Sequence, residues 1–296
     1  MKPLIILISK FVYMIGKLVG KGSSMPGKIA LKLDKNILKK VALPDDIIVV
    51  TGSNGKTSTV EMICSVLENN GYNVGCNREG SNQTEGVTTM ILNSCNLKGE
   101  VKKDVLVIES DERYLKRTLK YVRPKYLVVT NLYRDQMTRN GHPEFIYDAI
   151  KEALSDDIHL ILNADDPLSS LYGYKKTGVT YFGMEKNQFS KDKNDSVYND
   201  GAYCPNCKEP LKYDYYHYNH IGSYHCDNCG HKRNTPQYRV TALDLENGEM
   251  TINDKYKLKM NLRSVYNAYN LLAAFAATRL IGVKDDKVVD GIDRKS

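Results

Sequence analysis

The chain has 296 residues, 42% of them hydrophobic, which is enough to bury a sizeable core and suggests about two domains. Its formal charge of +7 comes without a long block of like charge, which excludes a basic arm for nucleic acid and leaves nucleotides or an anionic membrane surface as fitting partners. Seven cysteines with no signal peptide ahead of them read as thiols or metal ligands in a reducing compartment, so the expected location is the cytoplasm.

Residues 1–44 read as an N-terminal helical segment. Leu4, Ile8, Phe11, Ile15 and Leu18 form one stripe of a helix that carries Lys10 and Lys17. The apolar run before Lys10 is too short to span a bilayer. Two readings stay open: an interfacial helix at the inner face of the membrane, or a helix packed on its own domain or on a partner. Gly20 to Gly27 reads as a loop, and a second helical segment follows from Ile29 to Val41.

The rest of the chain is arranged around Thr51-Gly52-Ser53-Asn54-Gly55-Lys56-Thr57-Ser58-Thr59. It follows the apolar run Ile47-Ile48-Val49-Val50 and opens a helical stretch with Val60, Ile63, Cys64 and Leu67 on its apolar positions. A buried strand, a glycine turn and a helix start make a phosphate cradle. Gly52 and Gly55 let backbone amides turn toward an anion, Lys56 adds a point charge against the β- and γ-phosphates, and Thr57 offers a hydroxyl to Mg²⁺. The spacing, Gly-x-x-Gly-Lys-Thr, is two residues shorter than the general Walker A pattern.

From Asp45 on, strand-like runs at Ile47–Val50, Val105–Ile108, Tyr126–Val129, Ile158–Leu162 and Val179–Phe182 alternate with helical stretches. That pattern predicts an α/β domain over 45–283, a mostly parallel sheet with helices on both faces. Ligands in such sheets sit beyond the carboxyl ends of the strands, and polar clusters fall there. Glu109, closing Val-Leu-Val-Ile-Glu, reads as a Mg²⁺ ligand or as a helix cap. Asp111 and Glu112 follow the same end, and Asn131 and Asp135 the next. Asn163 suits an adenine edge and Asp165 or Asp166 a ribose hydroxyl, although Asp166-Pro167 is also simply a good turn. Arg78 to Thr89 is polar and punctuated by glycine, and reads as a loop that closes over a site or as a plain surface loop.

Composition shifts after Phe182-Gly183. Cys204-Pro-Asn-Cys207 and Cys226-Asp-Asn-Cys229 frame 18 residues rich in Tyr and His, the spacing of a tetrahedral zinc site with four thiolates. Four thiolates close the coordination sphere, so the expected zinc is structural. Two disulfides are the alternative. The ribbon, 202–232, reads as an insertion, because strand-like segments resume at Tyr238–Leu243 and Met250–Ile252. Val265 opens an alanine-rich helix to about Ile281, with Asn267 and Asn270 on one face near its start, placed to reach a ligand or to cap the helix. Residues 284–296 read as the start of a linker.

Thr51-Gly-Ser-Asn-Gly-Lys-Thr57, Glu109, Asn163-Ala-Asp-Asp-Pro167 and Asn267-Ala-Tyr-Asn270 together resemble the central ATPase domain of the Mur ligases, which join amino acids to peptidoglycan precursors using ATP. Arg78-Glu-Gly-Ser-Asn-Gln-Thr-Glu-Gly-Val-Thr-Thr89, Asn131-Leu-Tyr-Arg-Asp-Gln136 and the four-cysteine insertion are most similar to the MurT group of that superfamily. The resemblance runs over nearly the whole chain. It implies a subunit that pairs with a GatD-type glutaminase and amidates the D-glutamate α-carboxylate of lipid II to D-isoglutamine through an acyl phosphate. ATP would lie on Gly52 to Ser58 with Asn163, Asp165 and Asn267, Mg²⁺ on Thr57 and Glu109, and Lys56 and Glu109 would be catalytic. Gln136 stands where Mur ligases usually carry His, which puts a second Mg²⁺ in doubt. Lys151 falls where some carry a carbamylated lysine, but a solvated helix lysine reads better. The family's C-terminal domain, with its substrate-side acid and GatD contact, is not recognisable here, so the chain alone is expected to bind ATP and amidate little. Competing readings are another Mur-type or folylpolyglutamate-type amide ligase and a non-catalytic nucleotide-binding zinc module.

Overall fold

The computed structural model describes residues 1–18, 23–78, 81–133, 143–194 and 200–293. Helices α1 (Lys2–Leu18) and α2 (Met25–Leu33) lead through a 3-10 turn at Ile37–Lys40 into β1 (Asp46–Thr51), α3 (Lys56–Asn69), β2 (Val74–Cys76) and α4 (Thr84–Ser94). Next come β3 (Val105–Glu109), α5 (Leu115–Leu119), β4 (Tyr126–Val129), α6 (Pro143–Lys151), β5 (His159–Asn163), α7 (Pro167–Leu171) and β6 (Val179–Met184). A hairpin of β7 (Lys212–Tyr218) and β8 (Ile221–His225) precedes β9 (Tyr238–Asp244), β10 (Glu249–Ile252), β11 (Tyr256–Lys259), α8 (Val265–Ile281) and α9 (Asp285–Asp293).

Nine strands form one sheet in the order β11-β10-β9-β6-β5-β4-β1-β3-β2. It is parallel from β2 to β9, and β10 alone runs against the others, between β9 and the edge strand β11. The strands read as continuous apolar runs because both faces are covered. On β1, Ile48 and Val50 enter a core with α3, α8 and α9, while Ile47 and Val49 enter a second core with α1, α2, α4, α5 and α6. The expected α/β class, with its mostly parallel sheet between two helical layers, is what the chain forms. Register sets Val50 beside Glu109, Thr51 beside Val129, and Val129 beside Leu162, so the carboxyl ends of β1, β3, β4 and β5 share one rim.

Two segments differ from the sequence reading, and a third resolves which way a helix faces. Residues 84–89, the second half of the expected loop, belong to helix α4: Thr88 and Thr89 donate their hydroxyls to Thr84 O (2.7 Å) and Glu85 O (3.1 Å), which hides their polarity inside the helix. Gly27 of α2 lies so close to α4 that a Cβ there would sit 1.9 Å from Glu85 O, and its amide donates to Thr89 Oγ1 at 2.8 Å. Residues 285–293, expected to open a linker, form α9, with Val288 and Ile292 fully buried. The stripe assigned to α1 lies largely outward, since Ile5, Ile6, Ser9 and Gly16 are the residues it buries.

Candidate functional site

The turn from β1 into α3 is held by β4's end rather than by itself. Ser53 N donates to Asn131 O (2.8 Å), Asn54 N to Asn131 Oδ1 (3.0 Å), and Thr130 Oγ1 to Asn54 O (2.6 Å). Asn54 Nδ2 donates to the Tyr133 hydroxyl (2.7 Å), and Tyr133 N to Ser53 Oγ (3.1 Å). Gly55 occupies the left-handed region at φ 81°, and a Cβ on it would lie 2.1 Å from Asn270 Oδ1, so α8 closes the turn from the other side.

This bracing sorts the loop's amides. Those of Ser53 and Asn54 are consumed by Asn131, whereas those of Gly55, Lys56, Thr57 and Ser58 have no protein acceptor among the described residues. No side chain caps α3. A 14-residue helix with an uncapped start presents converging N–H groups and the positive end of its dipole to an anion. The Thr57 side chain is exposed at this mouth. Lys56 curls back: its ammonium donates to Gly52 O, to Ser53 O (3.1 Å) and to Glu112 Oε1 (3.3 Å).

Glu109 ends β3, and Asp111 and Glu112 follow it on the same rim, all buried. Asn82 Nδ2 donates to Glu109 Oε1 at 3.1 Å, and Asn77 fixes the strand end by accepting from Glu109 N at 2.9 Å. Burial pushes the Glu112 carboxyl above its usual range despite the pull of Lys56. Burial also works against the Asp111 anion, but two bonds from the Arg113 guanidinium outweigh it and hold that carboxyl low. Glu112, missed as the lysine's partner in the sequence reading, sits three residues beyond Glu109; a second acid after the strand-end acid was the available signal.

The Asn163 to Pro167 motif lies at the carboxyl end of β5, as expected, with its side chains taken up inside the fold. Asn163 spends its amide inside the fold, donating to Thr130 O (3.0 Å) and accepting from Asp165 N (3.0 Å). Asp165 is fully buried and accepts from Arg233 Nε (2.5 Å), the Tyr269 hydroxyl (2.5 Å) and Met184 N (2.7 Å). Asp166 accepts from Leu132 N (2.6 Å) and caps α7 at Leu168 N (3.0 Å). Asn163 and Asp165 thus have protein partners for their polar atoms, as a buried carboxylate needs its lone pairs satisfied. Asn267 is different. Its amide nitrogen donates to Leu262 O (3.0 Å), but its buried Oδ1 has no hydrogen-bond partner. Lys151 is an exposed helix lysine over the Tyr147 ring, 5.7 Å from its centroid. Asp135 and Gln136 lie outside the described residues.

The four cysteines come together. Sγ atoms of Cys204, Cys207, Cys226 and Cys229 all lie within 4.8 Å of one another, with 3.5 Å between Cys204 and Cys229 and between Cys207 and Cys226. Thiolates at about 2.3 Å from a tetrahedral zinc stand about 3.8 Å apart, so this donor set fits that ion. Hydrogen bonds from the Asn206 side chain and His231 N depress the Cys229 thiol to about 6, which favours the ligating form. Burial pushes Cys204 the other way, to about 12. No other group of three or more His, Cys, Asp or Glu in ligating range occurs among the described residues.

The hairpin that carries the centre is seated on the Asp165–Pro167 turn. Gly222 N donates to Asp165 O (2.8 Å), His231 Nε2 to Pro167 O (3.1 Å), and the Tyr224 hydroxyl pairs with Ser170 Oγ. At the hairpin tip His220 is buried 3.5 Å from Asp166 Oδ1 and edge-on to Tyr133, and neither ring nitrogen has a hydrogen-bond partner. Of the ribbon's histidines, His231 and His220 are therefore the two that face this turn.

A family model described as the Mur ligase middle domain matches residues 50–278. The chain is 37% identical over 290 residues to the lipid II isoglutaminyl synthase (glutamine-hydrolyzing) subunit MurT of Staphylococcus aureus (strain COL), covering 97% of this chain and 64% of that protein. To the subunit of the same description from Streptococcus pneumoniae (strain ATCC BAA-255 / R6) it is 35% identical over 284 residues, 93% of this chain and 62% of that one. The chain thus spans a little under two thirds of the length of these curated relatives. Among solved structures, a pseudomurein peptide ligase type C from Methanothermus fervidus superposes with a TM-score of 0.71 at 26% identity, over 88% of this chain and 51% of that one. MurF from Acinetobacter baumannii shares the fold at a TM-score of 0.62 and 15% identity, over 91% of this chain and 50% of that one. With the matched region running from the end of β1 into α8, across the braced phosphate turn, the chain belongs to the Mur ligase middle-domain family.

Proposed function

We propose that this chain is the ATP-binding, carboxylate-activating part of a cytoplasmic amide ligase that converts the D-glutamate α-carboxylate of lipid II to D-isoglutamine, with ammonia supplied by a GatD-type glutaminase subunit. The observation that carries the reading is the set of amides from Gly55 to Ser58 without protein acceptors, beside Lys56 and the exposed Thr57. Its substrate and partner rest on the similarity to MurT subunits.

A carboxylate resists attack by ammonia until one oxygen becomes a good leaving group. In the proposed sequence the γ-phosphoryl of ATP passes to a carboxylate oxygen and ADP leaves. Ammonia then attacks the acyl carbon and inorganic phosphate departs with that oxygen. Amides 55–58 hold the β- and γ-phosphates. Lys56 leaves its two carbonyl contacts with the turn to follow the charge on the transferring group, and Glu112 accompanies it as counter-ion. Thr57 and Glu109 would hold Mg²⁺, which neutralises phosphate charge when bound. Asn267 Oδ1 is the remaining polar atom proposed to meet the nucleotide, while Asn163 and Asp165 support the site from behind. Zinc on the four thiolates has no open position and serves structure alone.

Calorimetry with Mg²⁺ and a non-hydrolysable ATP analogue on zinc-replete protein tests this. Wild type should bind, and Lys56→Ala, assayed with the glutaminase subunit, should lose about 10²-fold or more in amidation. A folded, zinc-replete chain with no affinity for the analogue removes the reading. Turnover that needs an added amino acid, and neither glutamine nor ammonia, would redirect it to another amide ligase.

A further inference from the structure

Helix α1 is amphipathic the wrong way round for a helix that only covers a core. Leu4, Leu7, Phe11, Met14, Ile15 and Leu18 are each between 43% and 83% exposed. At 3.6 residues per turn they fall within an arc of about 100°. Inward it offers Ile5, Ile6, Ser9 and Gly16, of which two are small. Nine of the fifteen large hydrophobic residues exposed among the described residues lie in the first 33, with Met25 and Leu33 of the neighbouring α2 extending the set. A contiguous apolar face of this size on one helix calls for an occupant.

Charge says which. The first 40 residues hold 9 of the chain's 42 Lys and Arg and 1 of its 35 Asp and Glu. The other 256 hold 33 basic against 34 acidic residues, so the whole positive excess sits at this end. The single acid, Asp34, is already paired with Lys40 at 2.5 Å. Lys28 and Lys32 of α2 are exposed. Lys2 and Lys10 are turned to the protein side, donating to Lys40 O (3.1 Å) and Asn93 O (2.9 Å), which leaves the apolar arc uninterrupted. Among the described residues no helix is long and apolar enough to cross a bilayer. An apolar stripe bordered by lysines, on a helix of 17 residues, is the form that lies in the plane of an anionic lipid surface.

We infer that the outward face of α1 docks this domain on an anionic membrane, α1 parallel to the surface with its leucines and Phe11 among the acyl chains and the lysines of α2 against the phosphates. It suits a lipid-borne substrate but rests on the helix alone, so it stands or falls apart from ATP binding.

The chain contains no tryptophan, which makes a single reporter possible. Phe11→Trp should shift its emission to the blue on mixed phosphatidylglycerol–phosphatidylcholine vesicles, and Tyr174→Trp, exposed in the loop after α7, should not. Sedimentation with the same vesicles should weaken by about tenfold or more in Leu7→Ser/Phe11→Ser and in Lys28→Glu/Lys32→Glu, and pure phosphatidylcholine should bind far less. Both variants change exposed residues, and unaltered thermal melts and ATP-analogue affinity verify that they fold. No blue shift on anionic vesicles, or binding unaffected by either double variant, overturns the inference. So does self-association in lipid-free solution that Leu7→Ser/Phe11→Ser abolishes, because the face would then belong to a protein contact.

Discussion

Asp165 shows how far a residue's role can lie from its local motif. In the strip Asn-Ala-Asp-Asp-Pro it reads as a ribose acceptor, yet its partners are Arg233, 68 residues on, and Tyr269, 104 residues on. Arg233 is bidentate in effect, since its Nη2 also donates to Met184 O at 3.0 Å. Removing it strands a buried carboxylate, so Arg233→Ala should cost about 3–5 kcal/mol in urea unfolding of zinc-replete protein. Arg233→Lys should recover little, because an ammonium cannot reach both acceptors in one plane. A loss under about 1 kcal/mol for Arg233→Ala would mean that water replaces the pair and the turn is not anchored as described. Residues whose chemistry is local were legible by contrast. Gly52, Gly55, Lys56 and Thr57 declare a phosphate turn within six positions, and the four cysteines declare their centre by spacing. Glu112 and Asn270 were not, because their contacts with the loop exist only once β3 and α8 are in place.

At the scale of elements, periodicity located helices better than it oriented them. Helix α8 begins and ends where the sequence puts it, with Ser264 Oγ accepting from Asn267 N at 3.2 Å and Gly282 in the left-handed region after its last turn. Helix α1 was located too, but an apolar stripe does not say whether it faces core or solvent. Helix α4 was lost because buried threonines look polar in a sequence. The hairpin β7–β8 was unreadable as a docked element, since its seat is a set of single carbonyls. His217 is such a contact: its Nε2 donates to Met184 O (3.0 Å) and Ser190 Oγ lies 3.2 Å from Nδ1. Burial lowers the His217 pKa below its ordinary 6.5. The unfolded chain therefore takes up the proton first as pH falls, and stability that is complete above about pH 6.5 is lost progressively below it. Melting temperatures between pH 8 and 5 should fall more steeply for wild type than for His217→Asn. Zinc loss in acid is common to both, so equal slopes would remove His217 from the account.

For the molecule as a whole, the ribbon and the phosphate turn share a wall. The cysteine centre fixes the hairpin, whose tip places His220 against Asp166 and Tyr133, and Tyr133 holds Ser53 and Asn54. Asp166 in turn holds Leu132 N, next to Asn131, which takes the Ser53 and Asn54 amides. The ribbon is thus placed to set the loop's shape without contributing a ligand. Elemental analysis of reduced protein should find about one zinc per chain, as four thiolates make one closed site. Stripping it with a chelator should lower the melting temperature and also weaken the ATP analogue by about 5- to 150-fold, the range of ordinary coupling between sites. His220→Ala, with zinc retained, should reproduce part of the affinity loss with a smaller change in melting temperature, because it removes the contact and leaves the centre intact. If chelated protein, shown folded by its far-ultraviolet spectrum, binds the analogue as tightly as before, the shared wall carries no coupling and the ribbon stabilises only itself.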